Sequence, residues 1–183
     1  ALRQAPHLAR PLITAPEEAL EALHSLIRTM QVRDSRGELP GDGLGVPRIV
    51  VFIDELADLM MVGGDAVTAA LTRLAQRGRE AGIHLVAATQ HPSAAILGSV
   101  MRANFPLRLV GRVASAQDAR VAAGRGGTDA QLLHGRGDFL AVAGGDHPLR
   151  FQVAHIPDKA IRREVADLAP ARRPLPALTM ERS

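Results

Sequence analysis

Between Glu17 and Met30 the apolar residues Leu20, Leu23, Ile27 and Met30 recur at helical spacing. Thr14 followed by Glu17 has the form of a capping box, so the pattern predicts a helix over this stretch. From Asp34 to Pro47 the glycines and prolines break every periodicity, which predicts a loop. The run Arg48-Ile-Val-Val-Phe-Ile53 shows no polar alternation, the pattern of a strand buried on both faces, and Ile83-His-Leu-Val-Ala-Ala-Thr89 reads the same way. Between them Val67, Leu71, Leu74 and Ala75 mark an amphipathic helix from Ala66 to about Ala81, capped by Asp65 and ended by Gly82.

Further along, Ser93 is positioned to cap a short helix reaching Arg102, which Asn104 and Pro106 stop. Leu107–Val110 predicts a third strand, followed by a helix near Ala116 to Ala123. Thr128 and Gln131 suggest a second capping box for one turn of helix. Asp138–Ala143 and Leu149–Ala154 read as a hairpin across Gly144 to Pro148, and a last helix is expected from Asp158 to Leu168. The Pro- and Arg-containing stretch 170–183 reads as a linker or tail, leaving residues 1–169 as one domain. Alternating strands and helices predict an α/β fold: a mostly parallel sheet flanked by helices, with a C-terminal β-hairpin.

Composition narrows the chemistry. With 46% hydrophobic and 22% charged residues the 183-residue chain has the make-up of a globular protein. It has no Cys, which excludes disulfides, thiolate metal sites and Cys nucleophiles. No apolar run approaches 18 residues and no secretory signal is evident, so this segment is expected to make no membrane contact. The chain begins with Ala1 rather than Met and reads as a piece of something longer. Net charge is only +3, yet 21 of the 22 basic residues are Arg, the side chain that grips phosphates and carboxylates bidentately. Solvated Arg faces would give the same count, so a nucleic-acid surface and a compositional habit both stay open. Four Phe and no Tyr or Trp leave almost nothing for base stacking.

The sharpest local feature is the apolar strand that ends in Asp54-Glu55. In open α/β sheets ligands bind at the carboxyl ends of strands. There an Asp can hold Mg²⁺ through water, and an adjacent Glu can orient and deprotonate an attacking water, which is the Walker B arrangement. Thr89-Gln90 ends the second buried strand, where a polar pair suits a sensor of the γ-phosphate. A G-x-x-x-x-G-K-[ST] phosphate loop is absent, and the single Lys, Lys159, follows no Gly-rich turn. Arg125-Gly-Gly127 and Gly135-Arg-Gly137 follow no strand and read as turns. The seven His form no metal-ligand spacing, and no Ser stands in a G-x-S-x-G setting.

Taken together, Arg48–Met61, Arg73–Arg77, Ala81–Leu85, Ala88-Thr-Gln-His-Pro-Ser93, Arg102–Pro106, Asp118–Arg120 and Gly135-Arg-Gly-Asp138 resemble, in order, the motor domain of the FtsK/SpoIIIE family of DNA translocases. The resemblance implies a RecA-like P-loop ATPase core that uses ATP and Mg²⁺ and assembles as a hexameric homo-oligomeric ring around double-stranded DNA. Carried over, Asp54 looks like the Mg²⁺-organising acid, Glu55 like the catalytic base, Gln90 like the sensor, and Thr89 lies beside the nucleotide. The family's Gln-Arg-Pro-Ser motif has His91 in the place of its Arg. The pore pattern Ser-Lys-Ile-Asp-Ser-Arg reads Ser115-Ala-Gln-Asp-Ala-Arg120, so Arg120 is kept while Ala116 replaces Lys. Arg120, His91 and Arg102 are therefore the expected DNA contacts.

Arg33, in a stretch that matches the family poorly, is a candidate for acting on a neighbour's nucleotide; an exposed helix-end Arg is the other reading. The Walker A portion is expected before Ala1, so this chain alone is expected to be inactive. The resemblance also implies a cytoplasmic motor, with any membrane anchor in a preceding segment. Two further readings stay open: a type VII secretion-like ATPase that moves protein, and a non-catalytic ring subunit.

Overall fold

A computed structural model describes residues 2–38, 40, 45–92, 103–145 and 147–168. They form two compact units, one of residues 16–153 and one of residues 2–15 with 154–168. The smaller unit joins a 3₁₀ turn, Leu2–Gln4, to a terminal helix, Asp158–Leu168, whose bounds agree with the sequence pattern. Among the described residues no helix is long and apolar enough to cross a membrane. The expected helix from Ser93 to Arg102 and the tail 170–183 lie outside the described residues.

In the larger unit α1 spans Pro16–Arg36 and starts at a proline, a residue whose fixed φ suits the first helical position. It is thus longer than the periodicity of Leu20 to Met30 predicted. Strand β1 (Ile49–Ile53) is followed at once by α2 (Leu56–Arg77). The break expected at Asp65 survives as a kink at Gly64, whose φ of 59° and ψ of −151° suit glycine alone. Strand β2 (Ile83–Ala87) pairs with β1 in parallel, Ile49 opposite Ile83 and Ile53 opposite Ala87. Leu23, Ile27 and Met30 of α1 meet Met60, Val67, Leu71 and Leu74 of α2 in one core. The inward residues Ile49, Val51, Ile53 and Leu85 pack against that core.

Two expectations are corrected here. Among the described residues β1 and β2 are covered on one face only: Val50 and Val86 are each 49% exposed and Phe52 is 77% exposed. An unbroken apolar run permits burial on both faces, but α1 and α2 both pack on the same side. Nor does β3 (Leu107–Val110) extend a parallel sheet. It pairs antiparallel with β4 (Asp138–Ala143), which pairs antiparallel with β5 (Leu149–Gln152). The predicted hairpin is present, and β3 joins it because Val110, Leu140 and Val142 share one inner face. That face closes over Ala119 and Ala123 of α3 (Ala116–Ala123). The expected Thr128–Gln131 capping box is also corrected. Asp129 is the residue before the 3₁₀ turn Ala130–Leu132 and its side chain caps nothing, while Thr128 Oγ1 and Gln131 Oε1 are buried without a partner among the described residues.

Candidate active site

Because β1 and β2 run parallel and in register, the residues after each strand emerge side by side. Ala88 N donates to Ile53 O at 2.8 Å, and Leu56 N donates to Ala88 O at 2.8 Å, which stitches the two exits together. Glu55 sits between them in extended backbone and is the N-cap of α2, its Oε1 accepting from Ala57 N at 3.2 Å. From the β2 side Gln90 N donates to Oε2 at 2.8 Å, and Thr89 Oγ1 donates to Oε1. His91 N in turn donates to Thr89 Oγ1 at 3.1 Å, orienting the hydroxyl. The two strand ends singled out in the sequence therefore meet at one carboxylate.

Burial pushes the Glu55 carboxyl up. The hydrogen bonds from Thr89, Gln90 N and Ala57 N, with the charge of His91, outweigh it and hold the group below the usual carboxylate range. A carboxylate has about four lone-pair positions. Three are taken here, so Oε2 keeps one acceptor position on a fixed, ionised group. Asp54, at the tip of β1, is exposed and makes no hydrogen bond or ion pair among the described residues. Gln90 touches Glu55 through its backbone, and its exposed side chain is not the contact.

The other expected residues fall elsewhere. Arg33 is 6% exposed, which corrects the reading of an exposed helix-end Arg. Its Nη1 donates to Ala81 O at 2.7 Å and its Nη2 to Pro47 O at 3.0 Å. Burial lowers its pKa and the charge of Glu38 opposes this. The clamp ties α1 to the segments entering β1 and β2, at the strand ends opposite Glu55. Both terminal guanidinium nitrogens are thus engaged within this chain.

Arg120 lies exposed on α3, whose N-cap Ser115 accepts from Asp118 N at 3.1 Å and donates to Asp118 Oδ2 at 2.7 Å. Asp118 is thus engaged locally, and Arg120 has no ion pair among the described residues. His91 is exposed beside Glu55, and Arg102 lies outside the described residues.

One charged pair is not evident from the sequence pattern. Asp138, buried at the start of β4, accepts Arg150 Nε at 2.9 Å, Arg150 Nη2 at 2.7 Å and His134 N at 2.7 Å. The Arg150 bonds and that backbone bond pull its pKa down to about 2. The signal available in sequence was an Asp opening one hairpin strand and an Arg two residues from its partner position on the next.

Residues 40–94 match the FtsK/SpoIIIE family. DNA translocase FtsK of Oceanobacillus iheyensis is 39% identical over 87% of this chain and 23% of that protein. DNA translocase SpoIIIE of Bacillus subtilis is 36% identical over the same shares. The chain thus spans about a quarter of the length of the curated relatives it matches. Among solved structures, the pCW3 conjugation coupling protein TcpA, in its monomer form with ATPγS, has a TM-score of 0.71 and 25% identity, covering 86% of this chain and 50% of that one. The cytoplasmic domain of the type VII secretion ATPase EccC of Thermomonospora curvata has a TM-score of 0.75 and 20% identity, covering 98% of this chain and 23% of that one.

Proposed function

We propose that this chain, similar in sequence to the FtsK and SpoIIIE DNA translocases, is the part of a RecA-like motor domain that carries the Walker B acids and the sensor. In this reading the full-length protein moves double-stranded DNA, driven by ATP hydrolysis, as a homo-oligomeric ring that the family resemblance makes hexameric. The observation that carries it is the convergence of Glu55, Thr89 and Gln90 at the carboxyl ends of two adjacent parallel strands.

The residues present fit the metal end of an ATP site. Asp54 offers an exposed carboxylate with both oxygens unengaged among the described residues, which suits Mg²⁺ held through water. Bound Mg²⁺ neutralises phosphate charge. The phosphates themselves need a cradle of backbone N–H groups and a Lys, and no motif of that kind occurs in this sequence. Glu55 holds the attacking water at its free Oε2 position and takes the proton there. Thr89 and the backbone of Gln90 fix the carboxylate plane, and the Gln90 side chain is left to meet the γ-phosphate.

DNA is favoured over protein as cargo because the sequence likeness is to DNA translocases, whereas the likeness to the secretion ATPase extends to the fold alone. Exposed Arg120 supplies a cation for phosphate oxygens. The test of the catalytic assignment is Glu55→Gln in the full-length protein. Hydrolysis should fall about 10²- to 10⁴-fold while ATP affinity by calorimetry stays within a few-fold. A variant keeping half its turnover overturns the assignment.

A further inference from the structure

The motif Gly135-Arg-Gly-Asp138, which the catalytic site does not use, forms an unusual turn. Gly135, Arg136 and Gly137 have φ of 78°, 52° and 91°, so a non-glycine residue is held in the left-handed region between two glycines. That region brings the Cβ of an L-residue too close to its own backbone, and the surrounding structure imposes it. Asp138 N donates to Gly135 O at 3.1 Å, Gln152 Nε2 donates to Arg136 O at 2.9 Å, and Val153 N donates to Gly137 O at 2.7 Å. The backbone is pinned from three sides while the Arg136 side chain is left exposed.

The antiparallel register brings a second guanidinium to the same place. Val110 pairs with Leu140, so the chain leaving β3 passes the start of β4. Arg112 lies over the turn: a Cβ added at Gly135 would stand 3.8 Å from its Nε and 3.9 Å from its Cζ. Ser115, three residues after Arg112, caps α3, which carries the exposed Arg120. Arg112, Arg120 and Arg136 are all exposed and make no hydrogen bond or ion pair through their side chains among the described residues.

No acid along this stretch is ion-paired with them among the described residues. Between Gly111 and Asp138 the only carboxylates are Asp118, Asp129 and Asp138. Asp118 is bonded to Ser115, Asp129 to Gln131 Nε2 at 3.4 Å, and Asp138 to Arg150 through two bonds.

We propose that Arg112 and Arg136, presented together at the β3–β4 end of the antiparallel sheet, form a phosphate-gripping edge that contacts the backbone of the duplex. It would add cations to a chain that has His91 and Ala116 in place of the family's Arg and Lys. Guanidinium forks suit phosphate oxygens, and contacts to them are sequence-blind. The inference rests on the DNA-translocase reading and adds to it the residues of the grip.

The test is duplex affinity of the full-length protein across a salt series, read by anisotropy with a labelled duplex of mixed sequence. Arg112→Gln with Arg136→Asn, the Asn chosen because it tolerates left-handed backbone, should flatten the slope of log K against log salt by about 2 for each subunit in contact with the duplex, roughly one for each phosphate no longer neutralised. Arg112→Lys with Arg136→Lys keeps the charges and should keep most of the slope, which separates the removal of charge from a damaged turn. Arg120→Ala serves as the reference. If it flattens the slope and the Arg112/Arg136 double variant does not, the proposed edge is wrong and the DNA reading stands. If neither changes the slope, the DNA reading itself fails. Unchanged DNA binding with reduced ATP turnover in the double variant would also overturn the proposal, assigning these arginines to nucleotide phosphates instead.

Discussion

Arg33 offers the sharpest test of how this fold is held together, because the same residue was an attractive candidate for a role between subunits. Replacing it by Met keeps an unbranched apolar stem and removes both hydrogen bonds. The Ala81 carbonyl is buried, and losing a charged donor there costs about 1.5–3 kcal/mol. Pro47 is exposed, so its carbonyl regains water and the loss is nearer 0.5–1.5 kcal/mol. Together the change should lower stability by roughly 2–4 kcal/mol, or Tm by roughly 5–15 °C for a chain of this size. Arg33→Lys, a point charge able to reach one carbonyl well, should fall between the two. Thermal unfolding followed by circular dichroism reads the effect directly. An Arg33→Met variant with unchanged Tm and lost ATP turnover in the assembled protein would refute the clamp and restore the role in trans.

Two further outcomes follow from hydrogen-bonded carboxylates. Thr89→Val removes the side-chain donor to Glu55, so its pKa should rise toward the ordinary value; the acid limb of the pH–rate profile should then move to higher pH, and an unmoved limb would separate Thr89 from the base. Asp138 has a depressed pKa, so its pairing with Arg150 stabilises the fold fully above the ordinary 3.8 and is lost as pH falls through about 2. The urea midpoint of the wild type should therefore exceed that of Asp138→Asn by a constant margin at neutral pH, with the gap closing between those two values. A gap that persists unchanged at the acid end would show that the pair contributes nothing through its charge.

The strands, the terminal helix, the C-terminal hairpin and the pairing of acids at the end of β1 were legible along the chain, because each is written in residues that lie next to one another. An apolar run followed by Asp54-Glu55 needs only its own pattern to be seen, and so does the period of Leu20 to Met30. What the tertiary structure decided are matters of partner. Periodicity reports that a strand has an apolar face but not which strand completes it, so β3 reads as a third parallel strand although its hydrogen bonds go to β4. Apolarity on both faces of β1 likewise says nothing of how many faces are covered, and Phe52 stands exposed. Glu55 is fixed by Thr89 and Gln90, more than thirty residues away, and Arg33 by the carbonyl of Ala81, 48 residues away. A carboxylate or a guanidinium carries the same letter whether it faces water or a backbone group. Its role is set by whichever distant donor or acceptor the fold brings within about 3 Å, and that information is not local to any stretch of sequence.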